Sequence, residues 1–522
     1  MKICADDLAT VDLERLRPFV RSGSEFFDPG QHYRLLAFLA QKFQGQPVVD
    51  LGTNYGESAL ALSYGGGRVD SFDIADRVGG RVQPSNIHFH IEDVFSVEGR
   101  EKWRETLLSS ALIFIDIDPH EGRREHEMLS WLEAEKYQGL IVLDDIWYFK
   151  EMRDNLWYLV EPRYKTDATS LGHWSGTGIV SFSELVVVEA QIEMDLAASK
   201  WTLVTGYFDL TKKGDATPEI QARPKSHYLE SHASSVLSLP NNLVVFCEPD
   251  TEAQIWAMRP DFLHSKTRVI SMSFEDFPLT KFRSKIIENR GGYSCARDPR
   301  NTASYYLFCM ARYAMVKQAI AFNPFGSTHF AWINICIERM GFRNLIHLPE
   351  ALSLKRDRFS TCFIDYVSSE TVKDLKSYFG PQGCKAGGPT CKASCTMCSG
   401  FFTGRAAFMK EVCSKIEEAF LRCLEKGYGH ADEQLFPIVY YEKPELFEWY
   451  LGDYAEMITN YAGVREHPEK PLRNLIAHAL QAGDREVCRK ACEILWNSYA
   501  DDSSLLVDAE RDALLDAWKK SS

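Results

Sequence analysis

Short apolar runs that end in acids recur through the N-terminal part of the chain. They are Val48-Val49-Asp50-Leu51, Val69-Asp70-Ser71-Phe72-Asp73, Ile87 to Asp93, Leu112-Ile113-Phe114-Ile115-Asp116 and Leu140-Ile141-Val142-Leu143-Asp144-Asp145. Runs this short and this apolar predict strands covered on both faces. Between the last two, Met128, Leu129 and Leu132 fall on one face of an amphipathic stretch from about Glu125 to Tyr137, which predicts a helix. Strands alternating with helices predict an α/β fold with an open parallel sheet. The carboxyl ends of such strands share one edge, and ligands bind in the crevice there. Five strand ends therefore gather carboxylates at one place.

A second alternating pattern follows. Ile179 to Phe182 and Leu185 to Val188 read as closing antiparallel strands, and a boundary is expected between about 185 and 200. New strands are expected at Trp201 to Phe208, Asn242 to Cys247 and Arg268 to Met272, with a long helix from about Ala303 to Ala321. In that helix Tyr306, Met310, Tyr313 and Ala314 share a face. Residues 467 to 520 read as helices. The expected organisation is 1–195, 196–465 and a helical extension at 466–522.

Composition narrows the class. The chain has 522 residues, too many for one ordinary core. It is 45% hydrophobic and 25% charged, as globular proteins are. A net charge of −14 makes a nucleic-acid backbone a poor partner. No apolar run reaches the length of a membrane span, and the first residues lack the pattern of a signal peptide, so a cytoplasmic location with reduced thiols is expected.

The first strand hands over to a helix through Asp50-Leu51-Gly52-Thr53-Asn54-Tyr55-Gly56-Glu57-Ser58. Two glycines four apart let the backbone turn and approach a ligand where a Cβ would clash. Asp73 follows about twenty residues later, where a nucleotide fold places an acid for ribose hydroxyls. This pattern resembles the class I S-adenosylmethionine-dependent methyltransferases, in the metal-dependent O-methyltransferase branch typified by catechol and caffeoyl-CoA methyltransferases, over roughly residues 20 to 190. The resemblance implies a Rossmann-like domain in which Asp50, Gly52, Asn54, Gly56, Ser58, Asp73, Asp93 and Asp116 surround S-adenosylmethionine. It implies that Asp116, Asp144 and Asp145 hold a divalent cation, Mg²⁺ or Mn²⁺, which would lower the pKa of an acceptor hydroxyl. Asp145 stands where the branch has Asn, and Pro119 stands where it has a catalytic Lys, leaving His120 as the nearest base. Without a metal, Asp144 and Asp145 would cap the following segment and His120 would be a solvated loop residue. Asp116-Ile117-Asp118 is also a literal Asp-x-Asp, the metal motif of many glycosyltransferases, but it sits inside the methyltransferase-like run.

The second half carries Val204 to Asp209, Asn301 to Tyr305, Asn323-Pro324-Phe325, Phe330 to Asn334, Ser399 to Gly404, Ala431 to Gln434 and Gly452-Asp453-Tyr454. Together these resemble the HtrL/YibB glycosyltransferase-like family, associated with lipopolysaccharide and other surface glycans. The resemblance implies a GT-A-like fold, a nucleotide-sugar donor and a sugar or glycan acceptor. Asn334 stands where the family has an acid, so metal use there is weakened or lost. Ser399 to Gly404 reads as a loop under a flat ligand. Asp432 and Glu433 offer a carboxylate pair, one of which could take the acceptor proton. The plainer alternative is a helix start favoured by the dipole.

Of 14 cysteines, Cys384, Cys391, Cys395 and Cys398 crowd into one glycine-rich stretch. Four thiolates there could bind structural Zn²⁺; a disulfide or an unmetallated loop are the alternatives. The sequence reading is thus a two-domain, bifunctional glycan-modifying enzyme. Its rivals are a small-molecule O-methyltransferase with a non-catalytic sugar-binding domain, and a non-enzymatic scaffold of two degenerate domains.

Overall fold

The computed structural model describes all residues except 29, 184–185, 189–199, 291–298, 342, 380–396, 430–431, 453, 463–468, 501–515 and 521–522. The chain divides into two compact units, Met1–Met194 and Asp195–Ser522. Each is α/β and built on a seven-stranded sheet. Among the described residues, no helix is long and apolar enough to cross a membrane.

In the N-terminal unit β1 (Lys2–Ile3) is followed by β2 (Val48–Leu51), β3 (Val69–Asp73), β4 (Ile87–Ile91), β5 (Leu112–Ile115), β6 (Leu140–Leu143), β7 (Lys165–Asp167), β8 (Gly178–Val180) and β9 (Val187–Val188). The main sheet has the order β4-β3-β2-β5-β6-β8-β7. Strands β4 to β6 and β2, β3 run parallel, and β8 is antiparallel to both β6 and β7. Strands β5 and β6 are apolar throughout because both faces are covered, whereas β2 and β3 also bury Asp50, Asp70 and Ser71. Val48, Leu112, Phe114, Leu140 and Val142 pack with Leu35, Leu36 and Leu39 of the helix Tyr33–Lys42. The alternate residues Val49, Ile113, Ile141 and Leu143 are also fully buried. The expected helix near Glu125 forms as Arg123–Ala134, burying Met128, Leu129 and Leu132.

Two expectations change here. Val187–Val188 does not close the main sheet; β9 pairs parallel with β1 in a separate two-stranded sheet. The edge strand is β7, whose Lys165-Thr166-Asp167 has no apolar run to betray it, since an edge strand is only partly covered.

The C-terminal unit contains β10 (Trp201–Tyr207), β11 (Asn242–Cys247), β12 (Thr267–Ser271), β13 (His329–Ile333), β14 (Ser360–Phe363), β15 (Met397–Arg405) and β16 (Tyr450–Leu451). Their order is β12-β11-β10-β13-β15-β14-β16, with β15 antiparallel to both neighbours. Thr302 caps the helix Ala303–Phe322 by accepting the Tyr305 N–H at 3.1 Å, and Asn323 ends it in the left-handed region. One sheet face packs Val204, Phe246, Trp332 and Phe402 against this helix and the helix Ala406–Glu425. The other buries Leu203, Val245, Ile333 and Phe401. Residues of the helices Glu469–Ala482 and Arg485–Ala500, such as Leu472, Ile476 and Cys492, join the first of these cores.

Ser399 to Gly404 is therefore not a loop. It lies inside β15, where Phe401 and Phe402 point to opposite cores and the glycines admit Met457 and the Arg358 carbonyl at close range. Cys398 is fully buried in the same strand, and its expected zinc partners Cys384, Cys391 and Cys395 lie outside the described residues.

Candidate functional site

The N-terminal chain steps outward from β2 to β3 and β4, then returns to place β5 on the other flank of β2. That reversal opens a crevice at the carboxyl ends of β2 and β5. Gly52 makes the crossing at φ +104, and a Cβ there would stand 1.6 Å from the Asp116 carbonyl oxygen. Gly56, at φ +82, starts the helix Glu57–Leu62. The Asn54 N–H donates to Asp73 Oδ2 at 2.8 Å, and Asp73 Oδ1 accepts from the Ala75 N–H at 3.1 Å, so Asp73 pins the turn to the end of β3. Beneath it, Ser71 Oγ donates to Asp50 Oδ2 at 2.6 Å and meets Thr53 Oγ1 at 2.6 Å. Asp50 is fully buried, and its Oδ1 has no hydrogen-bond partner. Burial pushes its carboxyl up to about 6, against the opposing pull of the Ser71 and Ser58 hydroxyls. Asp50 thus braces the turn from below.

A pocket of 430 Å³ adjoins the turn, lined by Thr53, Asp73, Val78, Arg81, Phe89 and His90 among others. Asp93, just past β4, accepts from the Phe95 N–H at 3.1 Å and from Arg124 at 2.5 Å.

The acid edge divides into two clusters. Asp145 sits at φ +58, so its side chain diverges from that of Asp144. Asp116, His120 and Asp145 come together with ligand atoms within 4.8 Å of one another. His120 Nδ1 is 3.4 Å from Asp145 Oδ2, and its ring stacks on Phe149 at 4.4 Å. Asp144 instead enters a buried group with His32 and His173. The expected single metal set of Asp116, Asp144 and Asp145 is thus redistributed by the left-handed turn at Asp145.

The two clusters remain electrostatically coupled. Burial raises the Asp116 carboxyl well above the ordinary range, and the neighbouring Asp144, Asp145 and Asp50 add to it. Burial and then Asp144 raise Asp145. Burial also pushes Asp144 upward, but His32 and His173 overcome it and hold the group below the carboxylate range. Tyr33 stacks on Phe26 at 4.7 Å; burial and the facing acids Glu57, Asp116 and Asp144 raise its hydroxyl. Sequence reasoning missed His32, Tyr33 and His173. His32 merely precedes a helix and His173 sits in a glycine-rich run, with no spacing that ties either to Asp144.

In the C-terminal unit the order reverses between β10 and β13, again at the carboxyl ends. Asp209 follows β10 and is buried, accepting from Thr211 N–H at 3.1 Å and Thr211 Oγ1 at 2.6 Å. Its own N–H donates to Glu248 Oε2 at 3.1 Å, which also faces Lys213. Asn334 follows β13. Its N–H donates to the Gly400 carbonyl at 2.8 Å, and its Oδ1 accepts from the Cys336 N–H at 3.0 Å. Ser399, beside Gly400, donates through Oγ to Glu433 Oε1 at 3.0 Å.

Residues 199–345 match the family described as "Bacterial protein of unknown function (HtrL_YibB)". The C-terminal unit carries an HtrL_YibB domain. The match spans β10 to β13 and so contains the reversal and Asn334, while Ser399, Asp432 and Glu433 lie beyond it. No curated protein sequence matches the chain. Among solved structures, the chain is similar to the O-methyltransferase TomG from Streptomyces achromogenes in complex with SAM, at 16% identity over 33% of this chain and 92% of that one, with a TM-score of 0.23. It is similar to the O-methyltransferase from Bacillus cereus in complex with SAH, at 15% identity over 34% and 90%, with a TM-score of 0.21. It is also similar to mouse xyloside xylosyltransferase 1, at 15% identity over 51% and 95%, with a TM-score of 0.27.

Beside the HtrL_YibB domain, the two carboxylates Asp432 and Glu433 have different surroundings. Asp432 is 1% exposed, with Arg312 and the Tyr313 hydroxyl each 2.9 Å from its Oδ2. Its Oδ1 accepts from the Glu433 N–H at 3.0 Å. Both oxygens are engaged inside the core. Glu433 is only partly buried. Arg312 also donates to the Ser399 carbonyl at 3.0 Å and thereby ties the helix Ala303–Phe322 to β15.

Proposed function

We propose that the chain is a two-part transferase: the N-terminal unit moves a methyl group from S-adenosylmethionine to a hydroxyl, and the C-terminal unit moves a sugar from a nucleotide-sugar to a glycan. The observation that carries the first half is the Gly52 crossing. A backbone path that excludes any Cβ, at a sheet reversal beside a 430 Å³ pocket holding Asp73, fits a nucleoside-bearing cofactor. S-adenosylmethionine supplies an electrophilic sulfonium methyl when bound. Asp73 would receive the ribose hydroxyls, and Gly52, Asn54 and Gly56 would let the turn lie against the amino-acid end. Asp116 and Asp145 offer the oxygens that Mg²⁺ or Mn²⁺ prefers, and a cation there would acidify an acceptor hydroxyl. His120, 3.4 Å from Asp145, would take the released proton.

The second half rests on the HtrL_YibB match and on the reversal at β10 and β13. Glu433, close to Ser399 and to the end of β13, is the residue we assign to the acceptor hydroxyl. Asp432 is assigned to positioning it. One observation favours a second reading, in which this unit binds sugar without transferring it. The Asn334 amide oxygen is already taken by the Cys336 N–H, so it is a poor metal ligand.

Calorimetric titration of the full chain with S-adenosylmethionine and its demethylated product tests the first half. Asp73→Ala should weaken binding by roughly 1–3 kcal/mol, the scale of lost hydrogen bonds to a charged group. If the full chain binds neither compound, the methyl-transfer reading fails. A panel of nucleoside-diphosphate sugars, with and without Mn²⁺, tests the second half; binding of none of them removes it.

A further inference from the structure

Three side chains from distant parts of the N-terminal unit meet at the acid edge of its sheet. His32 precedes the helix Tyr33–Lys42, Asp144 follows β6, and His173 lies between β7 and β8. Each offers one ligand atom within 4.8 Å of the others. Nδ1 of His32 is 3.2 Å, and Nδ1 of His173 is 3.3 Å, from the same Asp144 Oδ2. Ligand atoms bound to one cation by bonds of about 2.0–2.2 Å stand roughly 3–3.5 Å apart, so the spacing suits a shared ion.

A hydrogen-bonded arrangement explains less. Despite the 3.2 Å separation, His32 Nδ1 has no hydrogen-bond partner, and neither has Asp144 Oδ1. His32 is 4% exposed and Asp144 is 3% exposed. Leaving such atoms unsatisfied in the interior costs on the order of 1–3 kcal/mol each. A cation at the centre would satisfy His32 Nδ1, which is one of the converging ligand atoms. His173, with its side chain 17% exposed, lies at the solvent side of the group. Its Nδ1 also meets Ser175 Oγ at 2.5 Å, and that hydroxyl must turn away, toward neighbouring Asp145, when the nitrogen binds an ion. The His32 ring packs against Tyr33 and Phe114 at 4.7 and 5.0 Å, which restricts its rotation.

We infer that His32, Asp144 and His173 form a binding site for a divalent transition cation of the Zn²⁺, Co²⁺ and Ni²⁺ class. Two imidazole nitrogens with one carboxylate suit such ions, whereas Mg²⁺ requires oxygen ligands in octahedral array. The site adjoins the oxygen-rich group of Asp116, His120 and Asp145 but is built from different ligand atoms. It does not depend on the reaction assigned to this unit.

The test uses the full chain, stripped of metal by a chelator, titrated with Co²⁺ and followed by its visible absorption. One Co²⁺ should remain bound in a hundredfold excess of Mg²⁺. His32→Gln and His173→Gln should each weaken it at least tenfold, and Asp116→Asn should leave it in place. X-ray absorption on the unaltered chain with Co²⁺ should show two imidazoles on the metal, so the proposal stays open to refutation even if a variant fails to fold. No absorption on adding Co²⁺, displacement by equimolar Mg²⁺, unchanged affinity in both histidine variants, or a metal shell without two imidazoles would overturn it. Titration with S-adenosylmethionine on the same samples separates the two readings: failure to bind the cofactor refutes methyl transfer, whereas the Co²⁺ spectrum alone decides the metal site.

Discussion

Asp432→Ala should destabilise the C-terminal unit, not merely silence it. Asp432 and Arg312 are 2.9 Å apart, with side chains 1% and 6% exposed. At an effective dielectric of about 20, two unit charges at that distance attract by roughly 6 kcal/mol. Burying both ions offsets much of that attraction, so the pair adds little net stability. Removing one partner is different, because it strands the other charge; the typical cost is about 3–5 kcal/mol. The Tyr313 hydroxyl would lose its acceptor as well. Hydrogen exchange read by mass spectrometry along the urea unfolding curve would locate the loss in the helix Ala303–Phe322 and in β15. The double variant Arg312→Met with Asp432→Leu, which strands no charge, should recover most of the stability. Glu433→Gln, at the partly exposed neighbour, should keep the unfolding curve and abolish sugar transfer, a loss of about 10²–10⁴-fold for a missing general base. If Asp432→Ala unfolds with the wild-type curve, the buried-pair account is wrong. If Glu433→Gln transfers sugar at the wild-type rate, its catalytic assignment is wrong.

Gly52→Ala should abolish cofactor binding and lower the thermal midpoint of the N-terminal unit, because the new Cβ meets backbone at 1.6 Å in a left-handed conformation; calorimetry showing normal affinity would contradict the close-approach account. Asp50 predicts a pH effect of definite sign. Its carboxyl is raised in the folded state from 3.8 to about 6, so its stabilising contribution is complete below pH 4 and is lost as pH rises through 6, by roughly 3 kcal/mol. Asp50→Asn should flatten the stability profile of this unit between pH 4 and 6, and an unchanged slope would assign the profile to other groups.

Much of the N-terminal fold was legible in the residues. Strands covered on both faces favour apolar residues: Leu112–Ile115 and Leu140–Leu143 are wholly apolar, and Val48–Leu51 is apolar except for Asp50. A turn where any Cβ would stand 1.6 Å from a neighbouring carbonyl oxygen must use glycine, and Gly52 does. Acids just beyond apolar strands sit at the carboxyl edge, since a parallel sheet gives them nowhere else to go. The α/β class and the position of the crevice follow from these local constraints.

The sequence was silent where partners come from afar. His32 and His173 reach Asp144 only because the helix Tyr33–Lys42 and the segment before β8 are brought to the end of β6, and no spacing encodes that meeting. Asp144 and Asp145 are adjacent and chemically alike, yet the left-handed backbone at Asp145 sends them into different clusters. In the C-terminal unit Ser399 to Gly404 has loop-like small residues, but the antiparallel pairing of β15 with β13 and β14 makes it a buried strand. Asp432 and Glu433 form a carboxylate pair on paper. Tertiary packing alone separates them, because Arg312 and Tyr313, more than a hundred residues away, enclose the first and leave the second partly exposed. Local sequence thus determined which segments could be strands, turns and helices, since those depend on near neighbours. The separation of like residues into buried, clustered and partly exposed surroundings depends on packing and on distant charges, and these exist only once the chain has folded.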